Sequence, residues 1–431
     1  MSNQINRMVY SFFKPLAAIS LRGFFKKIIF TGLNNLPKDN AVILAANHPT
    51  AFVEPCILAA YLDRPLYFLV RGDYFRKPIY NFILRVLHML PIFRRMDGNF
   101  SDLKNNVKIL DACADALASR KTIMILAEGQ TKHEKRLRPI QKGTARLAFS
   151  TLHKHPNLNL AVVPVSVNFT NSLKWRSNVM IHFGEPIDVK PFYNEFAEKP
   201  AESINHFTNT LHDALKKYVV HIDEKKWDKT ANKILTVLRN QLPSEHTFLS
   251  QNPHILQNEL ETTQKFNSLS DELKTDLKIK LKKYFKKLKN RGLDDATVKI
   301  NGKLSLHLLP LVFLGFFLAI PGAILNFIPV WISKTIKDQR VSSKTYKTPV
   351  FIASLIGVHL IFFLLTIIIA ILTGFFLLVL LQPISIVLGL VSVHYWDLFA
   401  RFIQSTLWKG LPTEEKIQLQ TERNSILSNF I

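Results

Sequence analysis

The chain has 431 residues and carries 56 Lys and Arg against 32 Asp and Glu, a formal net charge of +24. Its 48% hydrophobic content excludes a disordered polyelectrolyte, and 15 Gly with 21 Pro exclude a collagen-like or linker protein. Charge of this size requires an anionic partner: nucleic acid, a membrane surface or a phosphorylated substrate. The two cysteines, Cys56 and Cys113, cannot form a disulfide framework and fit a reducing compartment better than a metal site.

In residues 1–27, Phe12, Phe13, Leu16, Ile19, Leu21, Phe24 and Phe25 interleave with Lys14, Arg22, Lys26 and Lys27. That mixture predicts an amphipathic helix at a membrane interface. Lys14-Pro15 interrupts the apolar run, so a cleaved signal peptide is not expected.

Residues 28–190 read as an α/β domain. Short apolar runs at 41–46, 66–70, 122–127 and 160–167 predict buried strands. Helical patterns at 105–118 and 143–154 lie between them, so the fold class expected is a mixed sheet flanked by helices.

Polar clusters sit at four of the apolar runs, where such sheets place their sites. After the first come Asn47, His48 and, six residues beyond the histidine, Glu54. A carboxylate there can fix the imidazole tautomer while the other ring nitrogen takes a proton from an alcohol. The second run, 90–93, ends in Arg94 and Arg95, two guanidinium groups suited to a phosphate. The third is Glu128-Gly129-Gln130-Thr131-Lys132-His133, a turn that exposes backbone N–H groups and a carboxylate. The fourth is Pro164 inside an apolar run, which predicts an edge strand or a bulge.

Residues 191–303 are mostly helical and basic. Lys274, Lys278, Lys280, Lys282, Lys283, Lys286, Lys287, Lys289 and Arg291 face Asp276 alone, with Leu277, Leu281, Tyr284, Phe285 and Leu288 at helical spacing. This predicts a basic amphipathic helix beside a membrane.

Residues 304–396 predict a membrane domain. Stretches 304–332 and 348–396 contain no Asp, Glu, Lys or Arg, and a spanning helix needs about 20 apolar residues. Pro321-Gly322 and Pro329 predict a kink or hairpin in the first run, and Gln382-Pro383 predicts a turn in the second. Between the runs, Lys334, Lys337, Arg340, Lys344 and Lys347 outnumber Asp338, which predicts a cytosolic loop. With the α/β domain on the same side, each run must enter and return, giving two hairpin-like segments. Whether 304–332 crosses once or returns stays open. Residues 397–431 read as a tail.

As a set, the four clusters resemble the glycerophospholipid acyltransferase family, whose blocks run His-to-acid, Phe-x-x-Arg, Glu-Gly and a late Pro. The resemblance covers residues 28–190 and begins at Phe30-Thr31-Gly32 through Pro37. The long third block, from Glu128 through Leu137, Arg138 and Gly143 to Arg146, is most similar to the glycerol-3-phosphate acyltransferase branch, which also tends to carry C-terminal membrane helices. The usual Asp five residues after His is Val53 here, with Glu54 one place later. The usual basic residue after Glu-Gly is Thr131, with Lys132 and His133 following.

The resemblance implies an integral membrane O-acyltransferase, its active site on the cytosolic face, that moves a fatty acyl group from an acyl thioester (coenzyme A or carrier protein) to glycerol 3-phosphate. It implies His48 as general base and Glu54 as its orienting carboxylate. Arg94, Arg95, Glu128, Gly129, Thr131, Lys132 and Pro164 are the implied substrate-binding residues. No metal or cofactor is expected beyond the thioester co-substrate, and the partners expected are the acyl thioester, the phosphorylated glycerol acceptor and anionic membrane lipids. The alternatives are acylation of 1-acylglycerol 3-phosphate (lysophosphatidate) and a non-catalytic membrane scaffold. Nucleic acid is not expected, because the chain has no zinc spacing or aromatic RNA-binding box and its basic residues flank apolar segments.

Overall fold

The structure, a computed structural model, describes residues 2–93, 100–243, 247–303 and 308–430. A first helix, α1 (Ser2–Phe24), leads into β1 (Lys27–Thr31). The chain then alternates through β2 (Ala41–Ala46), α2 (Val53–Tyr61), β3 (Leu66–Arg71), α3 (Pro78–Val86), β4 (Met89–Ile92), α4 (Phe100–Ala118), β5 (Thr122–Leu126), α5 (Gly143–Lys154) and β6 (Leu160–Phe169). Next come β7 (Asn178–Phe183), β8 (Ile187–Asp188), α6 (Lys190–Glu198) and α7 (Pro200–Lys216). A helical region follows: α8 (Asp228–Arg239), β9 (Leu249–Ser250), α9 (His254–Ser268), α10 (Asp271–Asn290) and α11 (Asp295–Lys299). Long helices α12 (Leu309–Arg340), α13 (Lys344–Thr373) and α14 (Leu381–Lys409) precede α15 (Thr413–Leu427).

Among the described residues nine strands form one mixed sheet in the order β4-β3-β5-β2-β6-β7-β1-β9, with β8 also paired to β6. The run from β4 to β6 is parallel, so the C-terminal ends of β2, β3, β4, β5 and β6 share one end of the sheet. Strands β7 and β8 are antiparallel to β6. Alternation along β2 separates two cores. Val42 and Leu44 join Leu21 and Phe24 of α1, Phe25 just after it, Ile57 and Leu58 of α2, and Phe351 and Ile352 of α13. Ile43 and Ala45 face Leu117 of α4, Leu147 and Leu152 of α5, and Phe207 and Leu211 of α7. The membrane helices are therefore seated on the same sheet face as α1 and α2.

The four expected strands are present, and the residue-143 helix begins and ends where its pattern does. Six expectations need correction. First, Pro164 lies in an interior strand. Its carbonyl accepts from Gly184 N–H (2.8 Å), so its missing donor would face the break between β7 and β8, where β6 changes antiparallel partner. Second, the α/β unit extends past residue 190, since α7 packs into its core. Third, the end of α1 is a core segment: Leu21 and Phe24, with Phe25 just beyond the helix, are buried, while Met8 and Phe12 are exposed. Fourth, α10 turns Leu277, Leu281, Tyr284 and Leu288 into a third core with Trp227, Phe266, Trp408, Leu419 and Ile426. Apart from Lys274, which is buried and donates to the Asn267 carbonyl, its lysines thus lie away from an apolar side that is already used. Fifth, residues 397–430 are no tail, because α14 continues to Lys409 and α15 closes that third core.

The sixth correction concerns the helix breaks. Helix α12 runs unbroken through Pro321 and Pro329. Gly322 is a crossing point instead: a Cβ there would lie 2.2 Å from the Leu388 carbonyl of α14, so the glycine permits close helix packing. The second run breaks at residues 374–380, around Gly374 in the left-handed region (φ 74°), and Pro383 falls in the first turn of α14, where no N–H is required.

Three helical segments are long and apolar enough to cross a membrane, Leu309–Arg340, Lys344–Thr373 and Phe376–Lys409. Most of their side chains face outward, among them Phe313, Phe317, Ile324, Leu372 and Phe376. These surfaces place the chain at a membrane. The apolar excursion nevertheless closes on itself. Ser405 Oγ donates to the Gly302 carbonyl, and Trp408 Nε1 donates to Asn301 Oδ1 at 2.9 Å. Midway, Thr345 and Thr348 bond to the α/β domain. A chain that leaves and rejoins one folded body crosses an even number of times, so α12, bounded by two such returns, does not cross alone.

Candidate active site

The first cluster is fixed by side chains that imitate main chain. Strand β2 ends at Ala46, and the next residue continues its pairing by other means: Asn47 Nδ2 donates to the Val167 carbonyl (3.0 Å) and Asn47 Oδ1 accepts from Val167 N–H (2.7 Å). This amide bridge holds the chain where His48 emerges at the C-terminal end of the sheet. Glu54 lies in the first turn of α2 and is fully buried. Its carboxylate takes the Thr50 N–H at 2.5 Å and the Thr50 hydroxyl at 2.7 Å, so the 50–54 loop is a closed clamp. His48 Nδ1 faces that carboxylate at 3.9 Å and is buried without a hydrogen-bond partner among the described residues.

The third cluster meets the first. The Ala127 N–H donates to the Ala46 carbonyl (2.7 Å), which joins the ends of β5 and β2. Gly129 then turns the chain with φ 68°; a Cβ there would lie 2.9 Å from Gln141 Cγ. The turn delivers Thr131, whose hydroxyl lies 2.7 Å from His48 Nε2, and the Lys132 N–H, 3.4 Å from the His48 carbonyl. Glu128 does not point freely into the site. Arg138 holds its Oε2 with Nε at 3.0 Å and Nη2 at 2.8 Å. Burial pushes the Glu128 carboxyl up, with Arg138 and the nearby His48 opposing the shift. Lys132 is solvent-accessible and stands 4.0 Å from Glu134.

Of the nine residues singled out from sequence, the structure brings together His48, Glu54, Glu128, Gly129, Thr131 and Lys132. Pro164 is buried in β6 beside Ala45, inside the sheet and below the strand ends. Arg94 and Arg95 lie outside the described residues. In the sequence they come directly after β4 and Phe93. Asn106 pins the chain just before them, bonding both the N–H and the carbonyl of Phe93 (3.0 and 2.7 Å).

Sequence reasoning missed three contributors. Thr50 and Arg138 hold the two site carboxylates, and the only signal for either is the short distance to its glutamate along the chain. The third is the start of α13. Pro349 has no N–H to offer the Thr345 carbonyl four residues before it, and that freed carbonyl accepts the Ala51 N–H of the His48 loop at 3.2 Å. Thr348 Oγ1 donates to the Ser172 carbonyl (2.6 Å), and the Tyr346 and Tyr74 hydroxyls meet at 3.0 Å. Ser172 Oγ in turn lies 3.3 Å from His133 Nδ1. Burial, with Lys344 and Lys135 nearby, pushes the His133 imidazole down. A membrane helix is thus bonded directly to the loop that carries the candidate base.

Near this histidine, Cys56 is a poor nucleophile: burial, with Glu54 beside it, pushes its thiol up to about 11. What remains is an imidazole with one nitrogen toward a carboxylate and the other toward a hydroxyl, an arrangement suited to proton transfer.

Residues 27–168 match the family model described as Acyltransferase. Over 248 residues the chain is 26% identical to glycerol-3-phosphate O-acyltransferase 1 of Saccharomyces cerevisiae, covering 54% of this chain and 32% of that protein. Over 170 residues it is 26% identical to the 1-acyl-sn-glycerol-3-phosphate acyltransferase of Borreliella burgdorferi, covering 38% of this chain and 62% of that protein. The chain thus spans less than two thirds of either relative. Among solved structures, the 1-acyl-sn-glycerophosphate acyltransferase of Thermotoga maritima aligns with TM-score 0.34 and 19% identity, over 47% of this chain and 78% of that one. The segment that matches the acyltransferase family model, residues 27–168, is the one in which His48, Glu54, Glu128 and Thr131 converge.

Proposed function

We propose that the protein is a membrane-bound O-acyltransferase that moves a fatty acyl group from an acyl thioester to glycerol 3-phosphate in phospholipid synthesis. The observation that carries this reading is His48 set between Glu54 and Thr131 at the C-terminal end of the sheet, inside the family-matched segment. With the His48 proton on Nδ1, facing Glu54, Nε2 is free to accept. It takes the proton of an acceptor hydroxyl that displaces Thr131. The acceptor oxygen attacks the thioester carbonyl, the new C–O bond forms, the C–S bond breaks, and the proton passes to the departing thiolate. The reading uses no covalent acyl-enzyme, in keeping with the raised Cys56 thiol. Backbone N–H groups of the Gly129 turn stabilise the oxyanion, and Lys132, with Arg94 and Arg95, takes the acceptor phosphate.

The basic residues at Lys337, Arg340, Lys344 and Lys347 border the α13 start that bonds to the His48 loop, which supports an active site on the cytosolic face. A second reading, acylation of 1-acylglycerol 3-phosphate, is favoured by two observations: the Borreliella relative bears that name, and a membrane helix docks on the site. The deciding experiment offers labelled acyl-CoA with each acceptor to the reconstituted protein. Transfer to glycerol 3-phosphate supports the first reading, transfer to the lyso acceptor alone supports the second, and transfer to neither overturns both.

A further inference from the structure

Helix α3 has the opposite polarity to what a helix of a soluble α/β domain needs. It connects β3 to β4, and its inward side contributes only Val86 and the half-buried Leu84 to the domain. Outward it shows Ile79 (71% exposed), Tyr80, Phe82 (67%) and Ile83, four large apolar side chains on a helix of nine residues. Ordinary surface helices turn such residues inward. Cations border the patch: Arg76 and Lys77 precede the helix, Lys77 Nζ lies over the Tyr80 ring, and Arg85 bonds to Asn81 at 2.7 Å.

Apolar side chains bordered by aromatic and cationic groups suit the boundary between acyl chains and anionic headgroups. The position of α3 in the fold names the occupant. It lies on the sheet face covered by α1 and α13 and packs against α1, which packs in turn against α13. Between them α1 exposes Met8 and Phe12. The patch is therefore continuous with the surface already placed at a membrane by α12 to α14.

We propose that α3 is a membrane-inserting helix, by which the α/β domain itself dips into the headgroup region of an anionic bilayer. The chain then rests on the membrane through α3 at the β4 edge of the sheet as well as through the α12–α14 block. The end of the sheet carrying His48 faces the lipid boundary between them.

The test uses the full chain, with Cys56 and Cys113 replaced by alanine, in vesicles of phosphatidylcholine and phosphatidylglycerol. A polarity-sensitive fluorophore is placed at Phe82→Cys and, for comparison, at Ile279→Cys on α10, which is also exposed. Position 82 is expected to blue-shift and to be quenched several-fold by nitroxide-labelled lipid, while position 279 does neither. In I79E/F82E, with the probe moved to Tyr80→Cys, quenching is expected to fall several-fold although the protein stays on the vesicles. An unquenched probe at 82, undiminished quenching in the charged variant, or efficient cross-linking between position-82 cysteines of two copies overturns the proposal.

Discussion

At the scale of single residues, the site is held mainly by its neighbours' polar groups. Among the described residues His48 has one side-chain hydrogen-bond partner, Thr131, and its Nδ1 keeps a 3.9 Å approach to Glu54. General-base assistance is typically worth about 10²–10⁴-fold, so His48→Ala is expected to lower kcat by that factor while the circular dichroism spectrum is unchanged. Glu54 serves the loop as well, through its two bonds to Thr50. Glu54→Gln turns an amide NH₂ toward a Thr50 donor, and a buried unmatched donor costs about 1–3 kcal/mol. Both the melting temperature in detergent and acyl transfer should fall. A lower Tm with unchanged transfer would leave Glu54 as a loop clamp alone. The His48-to-Glu54 spacing was legible in the sequence because both residues lie on one short loop. Thr131 was legible as a site residue but not as the partner of Nε2, since 83 residues separate the two and sheet order alone joins them.

Titration belongs to this scale too. Burial pushes the imidazoles of His88, His133, His182 and His221 below the ordinary value of 6.5. Each is neutral in the folded chain over a window in which the unfolded chain binds a proton. Their contribution is intact above about pH 6.5 and is lost as pH falls toward the folded values. Glu128, raised by burial, acts in the opposite sense at lower pH. The melting temperature in detergent is therefore expected to decline from pH 7 toward pH 5.5. A flat profile across that range would contradict the burial of these rings.

Helices and strands differ in how much of them the sequence discloses. The parallel strands were legible because both their faces are buried and their apolar runs are continuous. Strands β8 and β9, of two residues each, have no pattern to read. Pro321, Gly322, Pro329 and Pro383 were misread as breaks, and Pro349 was not read at all, because a helix packed against others tolerates both residue types. Gly322 serves contact with α14, and Pro349 frees a carbonyl for a partner outside the helix. The same ambiguity hid the basic helix α10, whose pattern reads equally as core packing or membrane contact until its neighbours are known. Pro349→Ala tests the coupling at the start of α13. Alanine restores an intrahelical N–H that competes with Ala51 for the Thr345 carbonyl, a bond worth about 1 kcal/mol. A several-fold fall in kcat is expected with vesicle association unchanged. Unaltered kcat would show that the bond does not position the loop.

For the whole molecule, the excess charge named at the outset is divided by the fold. Part lines the outer face of α10, and part borders the start of α13 beside the His48 loop. The return of the chain to Gly302 makes its membrane topology testable. Cysteines at Lys303, Lys347 and Lys409 in sealed, uniformly oriented vesicles are expected to react with an impermeant maleimide from one side together. Reaction of Lys347→Cys from the opposite side to the other two would contradict the bonds that join α13 to the α/β domain. The same closure sets an order of assembly. The core around Tyr284 and Trp227 needs Trp408, Leu419 and Ile426, which emerge from the ribosome more than a hundred residues after Leu288. A nascent chain must therefore accommodate about a hundred mostly apolar residues before that core can close. For this protein, insertion into lipid comes before the completion of a water-facing domain, and chains that miss the membrane are left with that core open and prone to proteolysis and aggregation.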